Sequence, residues 1–104
     1  MRAILLDPIR QTIEVADVGS EARAIRGLLS AQLHLKAIFP NGDRLLSASD
    51  LNGAFSIGGS KPMTGAAVLV GRRLPFGEYA PARTSLQDVR ALVRWSQPEL
   101  RDPA

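Results

Sequence analysis

The sequence predicts a single α+β domain built on a sheet of short strands. Three observations carry this reading. Short apolar or alternating runs recur between Pro, Gly, Asn and Asp clusters, which is the pattern of strands joined by turns. Two segments instead space their apolar residues as a helix does, and they lie at opposite ends of the chain. The strand-like runs pair naturally as hairpins. Strands grouped in hairpins with helices set apart describe α+β rather than α/β. The expected architecture is an antiparallel or mixed sheet of about six strands with two helices packed on one face. The domain is expected over residues 1–97, with 98–104 a frayed tail.

Residues 2–6 read as the first strand. Pro8 fixes its own φ and Asp7 can bond locally to the backbone, so Asp7-Pro8-Ile9-Arg10 reads as a turn. Residues 11–15 alternate, placing Ile13 and Val15 toward the core and Thr12 and Glu14 outside. Ser20 is a good N-cap, Glu21 suits the positive end of a helix, and Ala22, Ile25, Leu28 and Leu29 recur at helical spacing. A helix is predicted over residues 21–30, with Arg23 and Arg26 on its wet side and Gly27 a weak point.

Leu33, Leu35, Ala37 and Phe39 alternate with His34, Lys36 and Ile38, which predicts a strand. Pro40-Asn41-Gly42-Asp43 follows; Asn-Gly favours positive φ at both central residues of a tight turn, so residues 44–47 should return antiparallel. Residues 49–53 read as a polar loop, and residues 55–57 as a strand. Residues 66–70 are apolar without alternation, the signature of a central strand covered on both faces. Two prolines, a glycine and paired arginines make residues 72–83 an irregular loop. Thr84 with Gln87 forms a capping-box pattern opening a second helix, whose stripe is Leu86, Val89, Leu92 and Val93 and which Pro98 ends.

The chain has 104 residues, 45% of them apolar and 22% charged, which suits one globular domain. Lacking cysteine, it has no disulfide, thiol nucleophile or cysteine-ligated metal. The apolar run at the start is too short for a secretory leader, which needs about 7–15 residues, and none is long enough for a membrane helix, which needs about 20. A cytoplasmic location in a bacterial host is the expectation, with no membrane partner. The formal charge is +3 and the sequence pI is near 10.2. Nearly all the cations are arginines, so the balance permits an acidic partner without demanding one.

Catalytic signatures are weak. His34, the one histidine, falls on the polar side of its strand with no nucleophile or orienting carboxylate implied nearby; a solvated imidazole explains it as well as a base does. Asp43 and Asp50 could serve a cation or acid–base work, but turn chemistry accounts for both. Asp50-Leu51-Asn52-Gly53 lacks the later ligands of a calcium loop. Ser56 and Ser60 sit in no nucleophile elbow.

Two candidate binding sites remain. Gly58-Gly59-Ser60-Lys61 could offer an anion a nest of backbone N–H groups and an ammonium, or could be a simple bend between strands. Because residues 66–70 read as a strand, no helix opens after the glycines as one would in a Walker-type loop. The second candidate joins Arg72 and Arg73 to Arg83, Arg90 and Arg94, the last two one turn apart on the second helix, with Trp95 beside them. This is a patch for an acidic protein face or a phosphate, or else a solvated helix face. Aromatics make up 5% of the chain, so nucleic acid is not an expected partner. No cofactor is expected. A half-exposed Trp95 or a free edge strand would allow a homodimer.

The opening Met1-Arg2-Ala3-Ile4-Leu5-Leu6-Asp7-Pro8, the Asn41-Gly42-Asp43 hairpin, the Phe55-x-Ile57-Gly58-Gly59 segment and the strand from Gly65 to Gly71 together resemble one group. That group is the short uncharacterised proteins encoded by tailed phages, prophages and plasmids. The likeness covers residues 1–71; the acidic linker usual before the Phe-x-Ile segment is less acidic here. The resemblance carries over no catalytic residue. It implies a small cytosolic accessory protein that works by binding. A non-enzymatic, anti-CRISPR-like inhibitor of a host defence factor is the first expectation. A sponge that sequesters a nucleotide second messenger through Gly58–Lys61 and nearby arginines is the alternative. An enzyme is the class least expected.

Overall fold

In chain order the elements are β1 (Arg2–Asp7), β2 (Thr12–Asp17), α1 (Ala22–Leu29), β3 (His34–Ile38), β4 (Arg44–Ser47), β5 (Ala54–Ile57), β6 (Met63–Thr64), β7 (Ala67–Val70), α2 (Leu86–Leu92) and β8 (Val93–Ser96). The structure, a computed structural model, describes residues 1–48 and 53–96. The expected tail and most of the Asp50–Gly53 loop lie outside the described residues.

The apolar run of β7 lies where its composition requires. It is the middle strand of a five-stranded antiparallel sheet of order β2-β1-β7-β4-β3, and all four of its side chains are buried. Ile4 pairs with Leu69 on one flank, and Leu45 pairs with Leu69 on the other. The strands expected in one sheet divide into two. β6, β5 and β8 form a second, three-stranded antiparallel sheet that packs on one face of the first.

Alternation in the central strands sends side chains to two separate cores. Ile4, Leu6, Leu45, Ala67 and Leu69 face the small sheet and α2, meeting Phe55, Ile57, Val89 and Val93. Ala3, Leu46, Val68 and Val70 face α1, which contributes the fully buried Ile25. The helices therefore lie on opposite faces of the large sheet, not on one. Each cover shields the sheet face that the other leaves open.

Local sequence rules are overridden at several points. The helix α1 begins one residue later than Ser20 implies: Glu21 holds the cap position without a side-chain bond. The Ser20 carbonyl instead accepts from Tyr79 N–H at 2.9 Å. Ser85, not Thr84, caps α2, its hydroxyl accepting from Asp88 N–H at 3.0 Å. The Thr84 hydroxyl is taken by Asp43. Val15 shares a side of β2 with Ile13, yet it is 51% exposed, because the covering layer ends before this edge strand does. At the Asn-Gly turn only Gly42 has positive φ, at 94°. Gly42 N–H bonds Phe39 carbonyl and Phe39 N–H bonds Asp43 carbonyl. Pro40 and Asn41 are then the central pair of an ordinary turn, and the glycine closes it as a bulge.

The largest departure is β8. The stripe assigned to one helix stops at Leu92, and Val93–Ser96 pairs with β5, Trp95 opposite Phe55 and Val93 opposite Ile57. Arg94 and Trp95 are therefore strand residues, and Arg90 and Arg94 do not share a helix face.

Gly27 is exposed in α1, and a Cβ there would touch nothing within 4 Å. Gly27→Ala is expected to raise the unfolding free energy by about 0.5–1 kcal/mol through helix propensity alone. Urea titration of the two proteins side by side checks this.

Candidate partner-binding surface

Most of the stretch 72–83, expected to be irregular, belongs to a narrow ribbon over residues 71–80 that leaves the end of β7. Gly71 N–H bonds Ala80 carbonyl at 2.8 Å, Ala80 N–H bonds Arg72 carbonyl at 2.9 Å, and Leu74 N–H bonds Glu78 carbonyl at 2.7 Å. Arg73 and Tyr79 face each other across it, with the guanidinium carbon 5.8 Å from the ring centre. Tyr79 is half-buried against the α1-side core, and Glu21 bridges Glu78, so the start of α1 flanks the ribbon.

The ribbon turns through Pro75–Gly77. Phe76 has φ 68 and ψ 18, a left-handed conformation that turns of this kind reserve for glycine. Its side chain is 101% exposed. A bulky residue held in that region costs stability that its exposed side chain does nothing to offset, and such strain collects at working surfaces.

A polar clamp anchors the ribbon's return. The Asp43 carboxylate is fully buried. It accepts from Arg83 N–H at 2.8 and 3.1 Å, from Thr84 N–H at 2.8 Å and from the Thr84 hydroxyl at 2.7 Å. Asn41 braces the same hydroxyl with its side-chain N–H at 3.0 Å. From the other side, the Arg2 guanidinium donates to the Ala82 and Thr84 carbonyls at 2.9 and 3.0 Å. Asp43 read as a turn acceptor from sequence; its real partners lie some forty residues away, beyond the reach of local rules.

The expected arginine patch is divided among separate places. Arg72 and Arg83 line one cleft with Asn41. Arg73 lines another, on the α1 side. Arg90 donates to Ile13 carbonyl at 3.4 Å and shares a cleft with Trp95 at the β2 edge. Arg94 folds back onto the Ala91 and Val93 carbonyls, each at 3.2 Å. Trp95 is half-buried, its ring edge-on to Phe55 at 6.1 Å, so most of its role is packing. Among the described residues, none of Arg72, Arg73 and Arg83 has its guanidinium in an ion pair.

Gly58 and Gly59, at φ 59 and 82, make the tight turn from β5 to β6. Gly58 N–H bonds Leu92 carbonyl and Ser60 N–H bonds Ile57 carbonyl, each at 3.0 Å. Two of the N–H groups that a nest would aim at an anion are thus committed to the chain itself. The Ser60 hydroxyl braces the turn by accepting from Ile57 N–H at 3.1 Å, and Lys61 is exposed beside it. A strand follows and no helix. His34 is exposed on β3, but so are Leu35, Lys36 and Ile38, because a bulge between Leu35 and Ala37 breaks the expected alternation. Among the described residues, no three His, Asp or Glu side chains are placed to hold a metal ion, and no helix is long and apolar enough to cross a membrane.

Phe76 was missed because nothing in Pro-Phe-Gly says that the aromatic, rather than the glycine, leads the left-handed part of the turn. No protein-family model matches the chain, and neither a curated protein nor a solved structure is significantly similar to it.

Proposed function

We propose that this chain is a non-enzymatic accessory protein of a phage or other mobile element, acting in the bacterial cytoplasm by gripping an acidic surface of a host defence factor. The observation that supports it best is the ribbon tip. Phe76 stands free in a conformation that costs about 1–3 kcal/mol. Arg72 and Arg73 precede it in the ribbon on alternate sides, and among the described residues neither has a carboxylate partner. An exposed aromatic with arginine close to it in the chain is the composition of an interface hot spot. The likeness of residues 1–71 to phage and plasmid proteins supplies the setting. The nucleotide-sponge reading has no comparable support, since the Gly58 and Ser60 N–H groups are spent on backbone carbonyls.

The test is plaquing of a targeted phage on bacteria with an active CRISPR system, with and without this chain expressed. Plaquing should rise by orders of magnitude with the chain and return to the defended level with Phe76→Gly. That variant removes the anchor and the backbone strain together, so its unfolding free energy should stay within about 1 kcal/mol of the parent. A Phe76→Gly protein that still protects the phage would rule out the tip as the working surface.

A further inference from the structure

We infer that the outer edge of β3 is a docking strand for an extended, acidic segment of a partner protein, which would add to the large sheet as a further antiparallel or parallel strand. This rests on the protein-binding reading above but uses a different surface from the ribbon tip.

The two edges of the large sheet differ. On β2 the Ile13 carbonyl accepts from Arg90, and Glu14 and Asp17 break up the charge. On β3 no other strand pairs opposite β4 among the described residues. Four of its five residues are exposed, including Leu35 at 51% and Ile38 at 59%. A bulge between Leu35 and Ala37 breaks the alternation, so that Leu35 pairs with Leu46 and Ile38 with Arg44 and both stand on the α1 side of the sheet. There Leu35 helps form a groove of about 290 Å³ between the sheet, α1 and the ribbon. An incoming strand would place alternate side chains against Leu35 and Ile38 at the mouth of that groove.

Charge selects the occupant. The strand carries Lys36, and the groove wall carries Arg26 and Arg73. No carboxylate occurs from residue 33 to residue 42, and among the described residues none lines the groove. A second copy of this chain paired edge to edge would bring two Lys36-bearing strands together with no carboxylate between them from residue 33 to residue 42, which is unfavourable. An extended segment that carries both acidic and apolar residues on the face turned to α1 would satisfy the open backbone groups, the exposed leucine and isoleucine, and the cations of the groove wall together.

The probe is a short capped peptide of repeating Glu-Thr-Val-Thr, which sets glutamate and valine on one strand face, titrated into the isotopically labelled protein by NMR, with a repeating Lys-Thr-Val-Thr peptide as control. The acidic peptide should shift the amides of residues 34–38 first and weaken as salt rises, and the basic peptide should do neither. Lys36→Glu, an exposed change that leaves the core untouched, should weaken the acidic peptide by about tenfold or more. Phe76→Gly should leave peptide binding intact; if it does while phage protection is lost, the two surfaces are separate. Should the acidic peptide fail to bind the parent protein, bind equally to Lys36→Glu, or perturb only residues remote from β3, the inference is overturned. Sedimentation showing a dimer that Lys36→Glu dissociates would overturn it too, in favour of a second copy.

Discussion

Asp43→Ala is expected to destabilise the protein by at least about 3 kcal/mol, because it strands two backbone N–H groups and a buried hydroxyl that one carboxylate now serves. A buried carboxylate is tolerable only where donors replace its water, and here Arg83 and Thr84 do so at 2.7 to 3.1 Å. Asp43→Asn keeps one acceptor but turns an N–H toward other donors, so it should fall between the parent and the alanine variant. Urea unfolding reads both. The Arg83 and Thr84 amides should lose protection from hydrogen exchange ahead of the sheet in either variant. A cost under about 1 kcal/mol for Asp43→Ala would show that water replaces the carboxylate without difficulty.

Gly71→Ala carries the second large effect. A Cβ at that position would sit 2.4 Å from Pro81 oxygen and 2.7 Å from Ala80 oxygen. Those are backbone atoms, and they are not free to retreat, because Ala82 is tied to Arg2 on both its N–H and its carbonyl. Forcing them apart should cost about 2 kcal/mol and lower the melting temperature by about 10 °C. In the double variant with Asp43→Ala the loss should be less than the sum, since a released strap makes room for the methyl group. Strict additivity in thermal melts would mean that the two ends of the strap are independent.

Much of the fold was legible because it obeys local rules. The β7 run lacks polar alternation and is central; the α1 stripe of Ala22, Ile25, Leu28 and Leu29 packs inward while Arg23 and Arg26 stay wet. The glycines at 58 and 59 turn between strands. What escaped was decided at long range. Leu86, Val89, Leu92 and Val93 fit a helical period, yet Val93 and Trp95 also fit a strand period, and no Gly or Pro separates the two readings. Pairing with Ile57 and Phe55 settles the matter. Thr84 and Ser85 are equal as caps in sequence, and Asp43 decides between them by claiming the threonine. Arg72 and Arg73 are neighbours in the chain, but successive residues of an extended ribbon point to opposite sides, so they cannot serve one patch.

The position of β7 between β1 and β4 bears on how the chain comes off the ribosome. The hairpin of β1 and β2 and the hairpin of β3 and β4 can each zip up early, but nothing joins them until residues 67–70 slide into the gap. Closure over such sequence distances is slow. Meanwhile two half-built sheets wait with open edges and bare apolar faces, and nascent chains halted before that strand emerges should be the most prone to clump.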